Sequence, residues 1–106
     1  MFTGGDKIIG IDLGSANTLI YLQSKGIVLR ESSVLSFDTN DGSVIAAGKE
    51  AKGMIGKNPK NIQVIRPLRG GVIVDFDITS IMMKHFLKSV LNSFSIRSPW
   101  IIISTP

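Results

Sequence analysis

The residues best placed to do chemistry form one run, Gly10-Ile11-Asp12-Leu13-Gly14-Ser15-Ala16-Asn17-Thr18. Its physics suits a phosphate. Gly14 has no Cβ, so a turn there can adopt a positive φ and its backbone can approach a ligand closely. Successive amides at Ser15, Ala16 and Asn17 can form a concave nest for anionic oxygens. The hydroxyls of Ser15 and Thr18 and the side-chain amide of Asn17 add donors. Asp12 ends an apolar run, where an unpaired carboxylate is costly. A magnesium ion reached through water would give it a partner. The same residues also read as a plain tight hairpin in which Asp12 caps its own turn. Asp-x-Gly-Ser/Thr does not by itself decide between the two. The run is not a Walker A loop, because no Gly-Lys-Ser/Thr follows, and Gly-x-Gly-x-x-Gly is absent.

Other polar residues offer less. His85 has no Cys, Asp or Glu at ligand spacing and reads as a surface residue. Asp75 and Asp77 could be paired carboxylates, but Asp77 is better explained as a helix cap and Asp75 as the closure of a turn. Met82 and Met83 read as core filler and Trp100 as a packed residue. From Lys49 to Arg69 there are six cations against Glu50 alone, a local net of +5. Such a segment can meet an acidic protein face, anionic lipid or nucleic acid, or simply be solvated. No aromatic residue lies within it, which argues against base stacking. Phe94 and Ile96 alternate with serines in a polar loop. Either Phe94 tucks under a helix end, or both side chains meet a membrane with Arg97 and Lys88 at the headgroups.

The elements that must position these residues follow from pattern. Residues 7–13 (KIIGIDL) and 16–23 (ANTLIYLQ) are apolar runs separated by Gly14-Ser15, which predicts a hairpin. Residues 26–31 predict a third strand. Residues 33–37 and 43–47 flank a polar turn ending in Asp41-Gly42, a second hairpin. A short helix is expected over 48–55, stopped by Gly56 and Asn58-Pro59. A brief strand is expected at 61–65, a turn at 67–71 and extended chain at 72–74. A helix over 78–92 follows, capped by Asp77. Its Ile78, Met82, Met83, Phe86, Leu87, Val90 and Leu91 span one broad face, with Lys84, His85 and Lys88 opposite and Ile81 out of place among them. Residues 93–99 read as a loop and 100–104 as a final strand. Three consecutive isoleucines there predict burial on both faces. A domain rarely stops after such a strand, so the chain is expected to be truncated relative to its architecture. The mixture is α/β.

Composition sets outer limits. The 106 residues carry a formal charge of +4, with 43% apolar and 19% charged residues, ordinary values for a globular domain. With no cysteine, disulfides and thiolate metal sites are excluded. The first seven residues lack the basic and apolar regions of a signal peptide. No run approaches the ~18 apolar residues that span a bilayer.

Ile11-Asp12-Leu13-Gly14-Ser15-Ala16-Asn17-Thr18-Leu19-Ile20-Tyr21 resembles the first phosphate motif of the MreB family, in which threonine is usual at the position of Ser15. Lys25-Gly26-Ile27-Val28-Leu29, Glu31-Ser32-Ser33-Val34, Glu50-Ala51-Lys52, Met54-Ile55-Gly56, Asn61-Ile62, Ile65-Arg66-Pro67-Leu68 and Gly71-Val72-Ile73-Val74-Asp75-Phe76-Asp77 are similar to MreB segments in MreB order. The resemblance covers nearly the whole chain. It implies an incomplete actin-like fold of the ribonuclease H-like superfamily shared by sugar kinases, heat-shock chaperones and actin. Residues 1–31 and 68–106 would belong to the larger subdomain IA, and 32–67 to an inserted α+β subdomain IB. It further implies that Ser15, Ala16 and Asn17, with Gly14 and Thr18, meet the phosphates of ATP, and that Asp12 serves Mg2+ through water. In the family the second phosphate loop, the adenosine pocket and the water-activating carboxylate come later, so whether this chain alone is an enzyme stays open.

For the complete bacterial protein the resemblance implies an ATP-dependent cytoskeletal filament at the inner face of the cell membrane, in the cytoplasm. Its partners would be its own protomers, the membrane and the cell-wall elongation proteins, with no nucleic acid. Loops at the position of Phe94 and Ile96 insert apolar residues into the inner leaflet in that family. Two alternatives stand beside this reading. One is a standalone interaction module that binds full-length filaments. The other is a piece of another ATPase or kinase of the actin superfamily, which predicts no match over 65–77.

Overall fold

The computed structural model describes residues 8–57 and 59–105. The expectations that fall on Lys7, Asn58, Pro106 and the other first residues lie outside them. Alternating burial builds the first layer. In β1 (Ile8–Leu13), Ile9, Ile11 and Leu13 are buried while Ile8 and Asp12 face out. In β2 (Asn17–Leu22), Thr18, Ile20 and Leu22 are buried. The two pair antiparallel, Ile11 opposite Ile20, as the period-2 pattern requires. The third strand, β3 (Gly26–Ser32), continues the meander.

A smaller sheet follows. β4 (Leu35–Asp38) lies between β5 (Val44–Ala47) and β6 (Ile62–Ile65). The predicted short helix forms as α1 (Lys49–Lys52) with turns beyond it. Its Ala51 is buried beside Val34 and Ala46, with Met54 and Val64 packed on them. Glu31 Oε1 accepts from the amide of Lys49 at 2.9 Å, tying β3 to the start of α1. Gly48, at φ 76°, sits where a Cβ would collide with that glutamate.

The chain returns through a small hairpin, β7 (Leu68–Arg69) and β8 (Val72–Ile73), turned by Gly70 and Gly71 at φ 56° and 78°. Then α2 (Phe76–Phe94) crosses the buried face of the first sheet. Met82, Phe86 and Val90 pack with Ile9, Ile11, Leu13, Ile20, Leu22, Leu35 and Leu68 in the main core. Ile81 is exposed, as the wheel implied.

Two expectations fail at this helix. Its cap is Asp75, not Asp77. Asp75 is extended (φ −144°, ψ 106°) and its carboxylate accepts from the amide of Ile78 at 2.9 Å. Asp77 lies in the first turn. The apolar face begins only at Ile78, so the solvated first turn was invisible to periodicity; Phe76 is 74% exposed. The helix also runs two residues past Asn92 and ends at Ser95 in the left-handed conformation.

A third expectation fails at β9 (Trp100–Ser104). It pairs parallel with β1, Ile8 beside Trp100 and Ile11 beside Ile103, and forms the edge of the order β3-β2-β1-β9. All five residues are exposed, Trp100 at 76% and Ile102 at 63%. The triple isoleucine reports a covering layer that the described residues do not supply, and Trp100 is correspondingly unpacked.

Candidate functional site

The turn at 14–17 joins β1 to β2 and is closed by the amide of Gly14 donating to the carbonyl of Asn17 at 3.0 Å. Gly14 is not among the glycines of positive φ, against expectation. The turn needs glycine for space: a Cβ would stand 2.8 Å from the carbonyl oxygen of Asn17, closer than real Cβ atoms approach.

Thr18 does not join the ligand-facing donors. It is fully buried, and its hydroxyl lies 2.9 Å from that of Ser33. Ser33 Oγ donates to the carbonyl of Gly14 at 2.6 Å, so its single hydrogen is used there and Thr18 is the donor in the pair. The amide of Ser33 donates to the carbonyl of Ala16 at 2.9 Å. Ser33 therefore draws two carbonyls of the turn inward. In a trans peptide the N–H points opposite the C=O, so the amides of Ser15 and Asn17 are turned outward. Among the described residues, the amides of Ser15 and Ala16 donate to nothing within the chain. This is the concave donor set of an anion nest, braced from behind.

Ser33 was not a predicted site residue. Its signal was two adjacent serines, Ser32 and Ser33, between apolar runs, both of them buried. Buried hydroxyls are hydrogen-bonded, and their partner is commonly a turn.

Ser15 Oγ accepts from the amide of Gly71 at 2.8 Å, which leaves its own hydrogen to donate. The phosphate hairpin is thereby fastened to the β7–β8 turn. Asp12 is exposed on the outer face of β1, beside Ser104 of β9. Its carboxylate carries no burial penalty here, contrary to the sequence expectation. Among the described residues no cluster of three His, Cys, Asp or Glu could hold a metal. A lone solvated carboxylate still fits magnesium, which keeps most of its waters and leans on one or two carboxylates and the ligand's phosphates.

The predicted membrane pair separates. Phe94 belongs to the last turn of α2 and is 38% exposed, with Lys25 Nζ 5.7 Å from its ring centroid. Ile96 folds back: its amide donates to the carbonyl of Leu91, and its side chain packs against the main core. His85 is exposed, edge-on to Phe86. No helix among the described residues is long and apolar enough to cross a membrane.

The fold is actin-like in its neighbours. The crystal structure of MreB 5 of Spiroplasma citri bound to AMPPNP superposes with a TM-score of 0.74 at 30% identity, over 93% of this chain and 30% of that one. The sequence model of the MreB/Mbl protein family matches residues 6–106. The chain belongs to that family of cell shape-determining, actin-like proteins. It is 49% identical over 98 residues to the cell shape-determining protein Mbl of Bacillus subtilis, covering 92% of this chain and 29% of the relative. It is 47% identical over 103 residues to the cell shape-determining protein MreB of Escherichia coli, covering 92% and 30%. The chain thus spans less than a third of the length of these relatives.

Proposed function

We propose that this chain carries the first phosphate-binding hairpin of an ATP site in a filament-forming protein. One observation supports the reading above the rest. The turn at 14–17 holds its carbonyls against Ser33 and so presents outward amides beside the free donor of Ser15. A neighbour of the same fold was solved with AMPPNP, a triphosphate analogue. Ser15, Ala16 and Asn17 would hold the phosphates, and Gly14 would keep the turn tight. Asp12 would hold magnesium through water; the ion would screen phosphate charge. The rest of the site, and the groups for hydrolysis, would come from outside this stretch.

The complete protein would assemble with copies of itself into filaments at the cytoplasmic face of the cell membrane and organise cell-wall elongation proteins. The membrane contact rests on Phe94, with Lys25, Lys88 and Arg97 as the cations about it. Ile96 supports it from within the core.

The test is ATP affinity of the full-length protein carrying Gly14→Val. A branched Cβ collides with the carbonyl of Asn17 and opens the turn. Affinity should fall about tenfold or more, equivalent to about 1.4 kcal/mol. Unchanged affinity in a folded variant refutes the role of the hairpin.

A further inference from the structure

Away from the hairpin, a trough of about 450 Å³ runs along β6, walled by Lys60, Gln63, Val64, Arg66 and Arg69, with Ile55 across from them. From these features we infer that it takes an extended, acidic segment of a partner protein, laid against β6 as an added strand. The inference does not rest on nucleotide binding.

Charge is the first support. Three of the lining residues are cations and none is a carboxylate. Arg69 Nε donates to the carbonyl of Arg66 at 3.4 Å, which holds its guanidinium over the end of β6 and leaves its terminal nitrogens for an acceptor. Guanidinium groups so placed suit carboxylates, which they engage through paired N–H groups.

The backbone is the second. β6 pairs with β4 on one side, and among the described residues no strand lies on its other side. An incoming strand gains affinity from main-chain hydrogen bonds to such an edge and specificity from alternate side chains. Ile62, Val64 and Ile55 offer apolar surface to the aliphatic stems of glutamates.

Shape and lining exclude the rivals. The trough is open, whereas small-molecule sites enclose most of their ligand. Its lining holds no aromatic side chain, so it lacks the stacking platform of a single-stranded nucleic-acid site.

The experiment titrates full-length protein into a fluorescent decapeptide alternating glutamate and threonine, at low ionic strength. The glutamine counterpart should bind about tenfold more weakly or worse, and Arg66→Gln with Arg69→Gln should cost as much, since two charge-assisted contacts are lost. Lys49→Gln with Lys52→Gln removes equal charge outside the trough and should change affinity by no more than about twofold. If the arginine pair does not fold, Lys60→Gln with Arg69→Gln, both exposed, replaces it. Equal losses from the two lysine variants and the trough variants would reduce the effect to diffuse attraction and overturn the proposal. So would displacement of the peptide by phosphatidylglycerol vesicles that the trough variants no longer bind, because lipid would then be the occupant. A backbone N-methylated peptide should bind much more weakly, and undiminished binding would overturn the added strand.

Discussion

At the scale of single residues, Ser33 does what the phosphate motif itself cannot. The motif supplies donors, but a four-residue turn has several ways to close, and only one faces its amides outward. Ser33 selects that one by holding the carbonyls of Gly14 and Ala16. Ser33→Ala should strand the buried hydroxyl of Thr18 and the carbonyl of Gly14, at about 1–3 kcal/mol. A lower denaturation midpoint together with weaker ATP binding is the expected pair of results. Adding Thr18→Val should restore part of the stability, since both hydroxyls are then gone, but not the affinity. A midpoint unmoved by Ser33→Ala would mean that the turn holds itself. Asp12, Gly14, Ser15 and Asn17 were legible from type and spacing. Ser33 was not, because its partners are a carbonyl 19 residues back and a threonine expected to face the ligand.

Among the elements, α2 shows where periodicity stops informing. Residues 78–91 declared their buried face through spacing, and the structure buries that face. The solvated first turn carries no such pattern, and two aspartates two residues apart both look like caps. Geometry separates them: Asp75→Ala should cost about 1 kcal/mol as a lost N-cap, and Asp77→Ala no more than about 0.5 kcal/mol through the helix dipole. Urea midpoints of the two variants check this directly, and equal losses would contradict the assignment. The far end of α2 divides Phe94 from Ile96 in the same way. In the full-length protein Phe94→Ser should weaken sedimentation with anionic vesicles while leaving stability near wild type. A buried large apolar side chain is worth roughly 1.5–3 kcal/mol, and a filament multiplies that over many protomers. Ile96→Ser should instead lower stability by roughly 1–2 kcal/mol, as partial loss of core packing does. Vesicle binding unaffected by Phe94→Ser would remove the membrane role.

For the whole molecule, the strand pairings were readable wherever neighbours in sequence are neighbours in space, as in β1–β2–β3. The parallel pairing of β9 with β1 is a long-range partnership that no local pattern announces. The isoleucines of β9 foretold burial that only a further layer could provide. Such a chain holds one part of a nucleotide site, so alone it should show no ATPase activity above buffer. Magnesium-dependent turnover that Asp12→Ala abolishes would overturn that expectation. The register of β9 has one more consequence, and it concerns time. Ile8 pairs with Trp100, 92 residues later. At synthesis rates of roughly 5–20 residues per second, several seconds pass between the emergence of β1 and that of its parallel neighbour. The hairpin with β2 closes within about ten microseconds of becoming possible. A nascent chain therefore carries the phosphate turn on a sheet with one raw edge long before that edge is filled. Ribosomes stalled ahead of residue 100 should expose β1 to protease, and those stalled well beyond residue 104 should protect it.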